Sequence, residues 1–374
     1  MKTNKWTIVI ILAFAQFVMV LDSTVMNVSI TTVVRDLNTS VSSMQLAITF
    51  YTLTMAALML LGGKLGDIWG RKKTFMIGSI IYACGSLITA LSVNFTMLFI
   101  GWSVVEGIGA IMVLPAIASL TAANYKGKDR IKAYAIIGGV TGAAAALGPL
   151  IGGYMTTYLS WRYVFASEVV IMLGVLLTSR IIADVKKPAL VTRIDLLSFL
   201  LSAGGLVMVV FGMLQSKVWG WVSPRTVPQI AGVNIAPFGI SIVSYLILFG
   251  LMVLYIFYRR QQKLEASGGY PLFKVSLLKI KQLRSGIGVL FAQYFVIGSI
   301  FFILPVYLQM TLGYDALETG LKMLPMSIGL VIFSMVGARL ANAHSPKRII
   351  RIGQVLLIVG VVTLLGSIDV TLKN

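Results

Sequence analysis

GGKLGDIWGRKKTF, Gly62–Phe75, lies between two apolar runs and carries one aspartate, four basic residues and four glycines. Charge is scarce elsewhere: charged residues make up 11% of the 374 and apolar residues 58%, against about 25% charged in ordinary soluble domains. The composition is that of an all-α polytopic membrane protein, and the stretch is one of its connections.

Outward from that connection, segments of the roughly 20 apolar residues needed to span a bilayer occur eleven times. They are 6–30, 44–63, 74–93, 97–121, 132–157, 161–183, 195–214, 233–257, 286–310, 319–341 and 348–368. The polar start MKTNKW has the outline of a signal-peptide head, but the run behind it, to Ile30, is too long and has no small-residue cleavage site. A retained first helix is expected.

Charge orients the spans. With the amino terminus cytoplasmic, only Arg35, Arg162, Lys217, Arg225, Lys322 and Lys373 of the 31 Lys and Arg fall outside. That is a strong positive-inside bias, expected of a multi-pass cell-membrane protein with anionic inner-leaflet lipid as a partner. The net charge of +19 therefore records topology. It does not indicate nucleic acid, because the basic residues are scattered in short clusters and no solvated basic domain carries them. A lone Cys84 cannot form an intrachain disulfide, and a lone His344 cannot build a histidine-rich metal site. No cofactor and no metal are expected.

The opening stretch is then the cytoplasmic turn between helices 2 and 3. Gly66 and Gly70 permit close approach or positive φ, and Asp67, four residues before Arg71, can accept from a helix amino terminus or pair with an arginine. Either contact breaks when helices separate, so the turn reads as a latch. The alternative is that Arg71, Lys72 and Lys73 simply anchor the turn to lipid.

GKLGDIWGRKK resembles the signature loop of the major facilitator superfamily, in which such glycines, the aspartate and the basic residues control an inner gate. The resemblance gives Gly63, Asp67, Gly70 and Arg71 that gating role. LDSTVMNVSI in helix 1, with Asp22 and Asn27 at its polar positions, resembles the signature of the fourteen-helix drug:proton antiporter branch. ALGPLIGG in helix 5, with Gly148, Pro149, Gly152 and Gly153, is similar to the glycine-proline motif of exporters, and WRYVF at 161–165 is similar to that branch as well. The resemblance implies a major facilitator fold of two helical bundles with two inserted central helices.

An internal echo supports this layout. ARLANAHSPKR, Ala338–Arg348, aligns without gaps on Gly63–Lys73, two helices later than two directly joined six-helix halves would place it. The expected division is 1–183, an amino-terminal six-helix bundle; 184–257, the inserted pair; 258–285, a basic cytoplasmic linker; and 286–374, three helices of the carboxyl-terminal bundle. Helices 12 to 14 of the branch are then expected to be absent from this chain, as in a truncated or fragmentary transporter.

Buried acids are the candidates for proton coupling, because a carboxylate at bilayer depth costs roughly 2.5–3.5 kcal/mol on insertion scales. Three stand out: Asp22 in helix 1 near Gln16, Ser23 and Asn27; Glu106 in the middle of helix 4; and Glu168 in the outer half of helix 6. The resemblance breaks at two of them. Trp102 and Ser103 occupy the place of the family's fourth-helix arginine and Glu106 that of its glutamine, and Glu168 replaces an amide. More acid favours cationic substrates, with Phe14, Phe17, Tyr51 and Tyr294 as aromatic contacts and Gln16 and Asn27 as polar ones.

A membrane enzyme would need a catalytic constellation, and neither a clustered set of acids in a loop nor a nucleotide-binding loop is present. The expected function is proton-coupled export of drugs or other small amphipathic, cationic compounds by a monomer. A solute-uptake facilitator or membrane sensor of the same fold, or an inactive truncated transporter, is the alternative.

Overall fold

The computed structural model describes residues 5–183, 195–230, 233–234, 236–314, 316–340 and 343–367. Eleven helices among them are long and apolar enough to cross a membrane, in agreement with the segments read from the sequence. They are α1 (Thr7–Asp36), α2 (Val41–Trp69), α3 (Arg71–Ala90), α4 (Phe95–Asn124), α5 (Gly127–Tyr158), α6 (Arg162–Thr178), α7 (Leu196–Trp219), α8 (Ile242–Ala266), α9 (Lys281–Val306), α10 (Ala316–Leu340) and α11 (Pro346–Ser367). A two-residue antiparallel ladder, Gln229–Ile230 against Val233–Asn234, lies between α7 and α8.

Helix starts follow local chemistry. Ser40 caps α2 by accepting from the Ser43 N–H at 3.1 Å, and Asn94 caps α4 by accepting from Met97 at 2.9 Å. Apolar side chains such as Leu200, Leu248 and Phe291 stay exposed on the helix surfaces, as they do when lipid is the solvent.

Two compact units interleave along the chain. The first takes Met1–Asp36, Ile117–Ala183 and Val289–Asn374; the second takes Leu37–Ala116 and Asp184–Gly288. Within the first, α1 packs on α5 and α6, and α5 packs on α10. Leu21, Val25 and Val164 form a buried cluster there, lined by Phe17, Ile151 and Met155. Within the second, α2 packs on α3 and α7, α7 pairs with α8, and α3 packs on α4. The first part of α4 winds as a π-helix, Phe99–Glu106.

The structure corrects the picture of Gly62–Phe75. It is a corner between two helices, with no loop: α2 continues to Trp69, α3 begins at Arg71, and Gly70 alone separates them at φ 100°. Only glycine adopts that angle without strain. Gly66 is helical and would have open space around a Cβ, whereas a Cβ at Gly62 would meet the Ile111 carbonyl oxygen at 1.7 Å. Close approach therefore belongs to Gly62. Glycine weakens a helix by about 1 kcal/mol per residue, and the need of each backbone group for a partner in an apolar medium outweighs that cost here.

The segment read as linker also begins as helix, because α8 runs on to Ala266. The echo of the latch falls between α10 and α11. Its Ala341 and Asn342 lie outside the described residues.

Candidate functional site

In the first unit, α1 brings Asp22 to α6, where Glu168 stands. Both are wholly buried, and carboxylate oxygens of the two lie within 4.8 Å of each other. The sequence places these acids 146 positions apart by number; packing makes them neighbours. The pair brings two carboxyls together in the apolar interior of the unit.

The exporter-like motif supports the same helix. Gly148 and Gly152 of α5 are buried against α1. A Cβ at Gly148 would sit 1.8 Å from Thr24 Oγ1, and one at Gly152 would sit 2.9 Å from Val25 Cγ1. Thr24 and Val25 follow Asp22 almost at once, so backbone closeness at the motif fixes how α1 presents its acid. Ser29 and Thr156 join the helices further along at 2.8 Å. Gly153 is buried, and the helix continues past Pro149.

Both ends of α1 are also tied. Near its start, the Tyr125 hydroxyl donates to the Lys5 carbonyl at 2.7 Å and accepts from the Val9 N–H at 2.9 Å, while Trp6 stacks on the ring. Burial pushes the Tyr125 phenol above its ordinary range, partly opposed by the Val9 hydrogen bond. At the other end Asp36 accepts from Trp161 Nε1 at 3.0 Å and from Arg162 Nη1 at 3.2 Å. WRYVF thus has a structural task. Nothing near Asp36 in sequence points to a partner 125 residues away.

In the second unit, Glu106 closes the π-helical turn of α4. It too is wholly buried, and Ser86 Oγ of α3 donates to its Oε2 at 3.0 Å. A Cβ at Gly85 would lie 2.6 Å from the Glu106 backbone nitrogen, so α3 and α4 touch at the acid. The residues standing in for the family's arginine serve packing. Trp102 stacks on Tyr51 with ring centroids 4.9 Å apart, and Ser103 donates to the Ala47 carbonyl at 2.9 Å. Tyr51, expected in a substrate cavity, is 3% exposed and has Trp102 against its face.

The remaining expected residues are spread out. Gln16 is half-buried in α1; the side chain of Asn27 lies outside the described residues. Tyr294 is 66% exposed on α9. Asp67 and Arg71 are half-buried on either side of Gly70, and Gly63 is half-buried with Pro115 nearby. Beyond the spans, Asp195 before α7 accepts from Arg260 Nε and Nη2 at 2.8 and 2.9 Å. That guanidinium holds the Asp195 carboxyl below the usual carboxylate range.

Known proteins resemble this chain along most of its length. The model of the Major Facilitator Superfamily matches residues 12–195. The puromycin resistance protein of Streptomyces alboniger is 30% identical over 354 residues, 92% of this chain and 64% of that protein. The methylenomycin A resistance protein of Bacillus subtilis is 29% identical, with coverages of 90% and 67%. The cephamycin export protein of Amycolatopsis lactamdurans is 30% identical, with coverages of 93% and 68%. The chain thus spans about two thirds of the length of these relatives. A solved proton:xylose symporter bound to a bromodeoxyglucose shares the fold, with a TM-score of 0.56 at 14% identity over 90% of this chain and 69% of that one. Eleven apolar helices, the glycine corner between α2 and α3 and these likenesses together make the chain a multi-pass membrane protein that belongs to the major facilitator superfamily.

Proposed function

We propose that the protein works in proton-coupled export of small amphipathic, cationic compounds across the cell membrane, as a monomer of the fourteen-helix branch. The observation that carries the reading is the wholly buried Asp22–Glu168 pair. A site that exchanges one proton and attracts one cation gives antiport directly, because protonation removes the charge that holds the cargo. The relatives named for puromycin and methylenomycin A resistance and for cephamycin export support export as the direction. Glu106 is a second proton-bearing acid in this scheme. Gly63, Asp67, Gly70 and Arg71 form its gate, Gly148, Pro149, Gly152 and Gly153 its exporter motif, and Gln16, Asn27 and Tyr294 its polar and aromatic lining. The amino terminus is cytoplasmic, lipid contacts the basic connections, and 1–183, 184–257, 258–285 and 286–374 are its functional divisions.

Reconstituted protein in liposomes tests this with ethidium as the cation. Accumulation driven by an acid interior, together with proton release when ethidium is added, is the expected result. Flux that ignores the pH gradient points to a facilitator, and failure to bind the cation removes the substrate class.

A further inference from the structure

The second unit contains a buried cation to which the transport scheme gives no role. Lys64, in α2 shortly before the Gly70 corner, is 7% exposed, and its ammonium donates at 3.0 Å to the carbonyl of Pro271. Burying an ammonium is costly unless an acceptor meets it, and the Pro271 carbonyl is that acceptor.

Pro271 belongs to residues 267–280, which follow α8. The stretch has only a short 3₁₀ turn, Val275–Lys279, yet it is fastened throughout. The Leu272 N–H donates to Gln261 Oε1 at 2.7 Å, and Phe273 packs on Phe257 with centroids 6.0 Å apart. Val275 is 4% exposed. The Ser276 N–H donates to the Glu265 carboxylate at 3.0 Å, and its hydroxyl donates to the same group. Gln261, wholly buried, passes its own Nε2 donor to Ser198 Oγ of α7 at 2.6 Å. Ser198 in turn donates to Asp195 at 2.5 Å, where Arg260 completes the network.

Polar contacts therefore run without a gap from α7, through α8 and the strap, to α2. We infer that residues 267–280 couple the α7–α8 pair to the Gly70 end of α2 through Lys64, so that strap and corner hold or release together. The inserted pair is then a working part of the corner's control. This inference does not depend on what the protein moves.

Coupling is reciprocal, and that is what hydrogen–deuterium exchange on the full chain in lipid nanodiscs reads. Lys64→Met is expected to speed exchange at the Leu272 and Ser276 amides about tenfold, as for release of a local unit, and Lys64→Arg to keep most of the protection. Glu265→Ala, at a half-exposed site away from α2, is expected to speed exchange about threefold at the Gly70 and Thr74 amides, which bond to Gly66 and Gly70. Unchanged strap exchange in Lys64→Met overturns the inference. So does faster strap exchange in Glu265→Ala with the corner amides unmoved, which would make the strap an anchor only. Should Lys64→Met not fold, the Glu265→Ala arm decides alone.

Discussion

Asp22 and Glu106 are both wholly buried acids in long apolar helices; within its own unit Asp22 meets a second acid, and within its own unit Glu106 receives a serine hydroxyl. Asp22 meets Glu168 across the packing of α1 on α6. Glu106 receives the Ser86 hydroxyl from α3. The proposed scheme gives the carboxyl pair a shared proton, and the Ser86 hydroxyl supplies a hydrogen bond to the carboxyl of the other acid. Burial marks an acid as expensive; its partner decides what the expense can do.

The strongest way to break this comparison is Asp22→Asn. Coupling between two ligands typically changes affinity about 5–150-fold, so tetraphenylphosphonium titrated at pH 6 and pH 8 is expected to show a dissociation-constant ratio in that range. Asp22→Asn should bring the ratio near one, and Glu106→Gln, which removes the second proton-bearing acid of the proposed scheme, should lower it by less. Equal loss in both variants would erase the distinction between the units.

Steric substitutions sharpen it next. Gly148→Val, driven against Thr24, is expected to cost about 1–3 kcal/mol, read as a lowered Tm, with Thr24→Ala restoring part of the loss. Gly85→Val in the second unit meets the Glu106 backbone, so no single side-chain truncation should rescue it.

The Asp36 clasp should matter less. Asp36 and Arg162 are each about one third exposed, at 36% and 33%, and such pairs contribute about 0.2–1 kcal/mol. Asp36→Asn should lower Tm slightly, and much less so in an Arg162→Met background.

The smallest effect is a pH term in the second unit. The folded Asp195 carboxyl titrates below its unfolded counterpart, whose pKa is about 3.9. Its contribution is therefore complete above that value and is lost as pH falls through the folded pKa. Thermal melts taken from pH 6 downward should show the loss only below about pH 4, and Arg260→Met should remove it.

Spans and the place of the acids were legible because hydropathy and length are local properties: one apolar run suffices to announce α1, and one carboxyl within it announces Asp22. What escaped depends on distant partners. Lys64 reads as one of four cations in a connection, and nothing near it in sequence predicts Pro271. Tyr51 reads as an available aromatic until Trp102 covers it. The π-helical turn of α4 left no trace either, because FIGWSVVE is too apolar for a change of period to alter its pattern. WRYVF was recognisable by likeness alone, and only the Asp36 contacts say what its tryptophan and arginine hold.

The single-residue corner at Gly70 has a mechanical consequence. With 29 residues at about 1.5 Å of rise each, α2 is a rod roughly 43 Å long. A 10° swing about Gly70 carries its far end through about 7.5 Å, more than twice the width of a water molecule. No loop exists between α2 and α3 to absorb such a swing. The corner is a short fulcrum, and Lys64 grips the rod close to it, where holding it still takes the greatest force and allows the least travel.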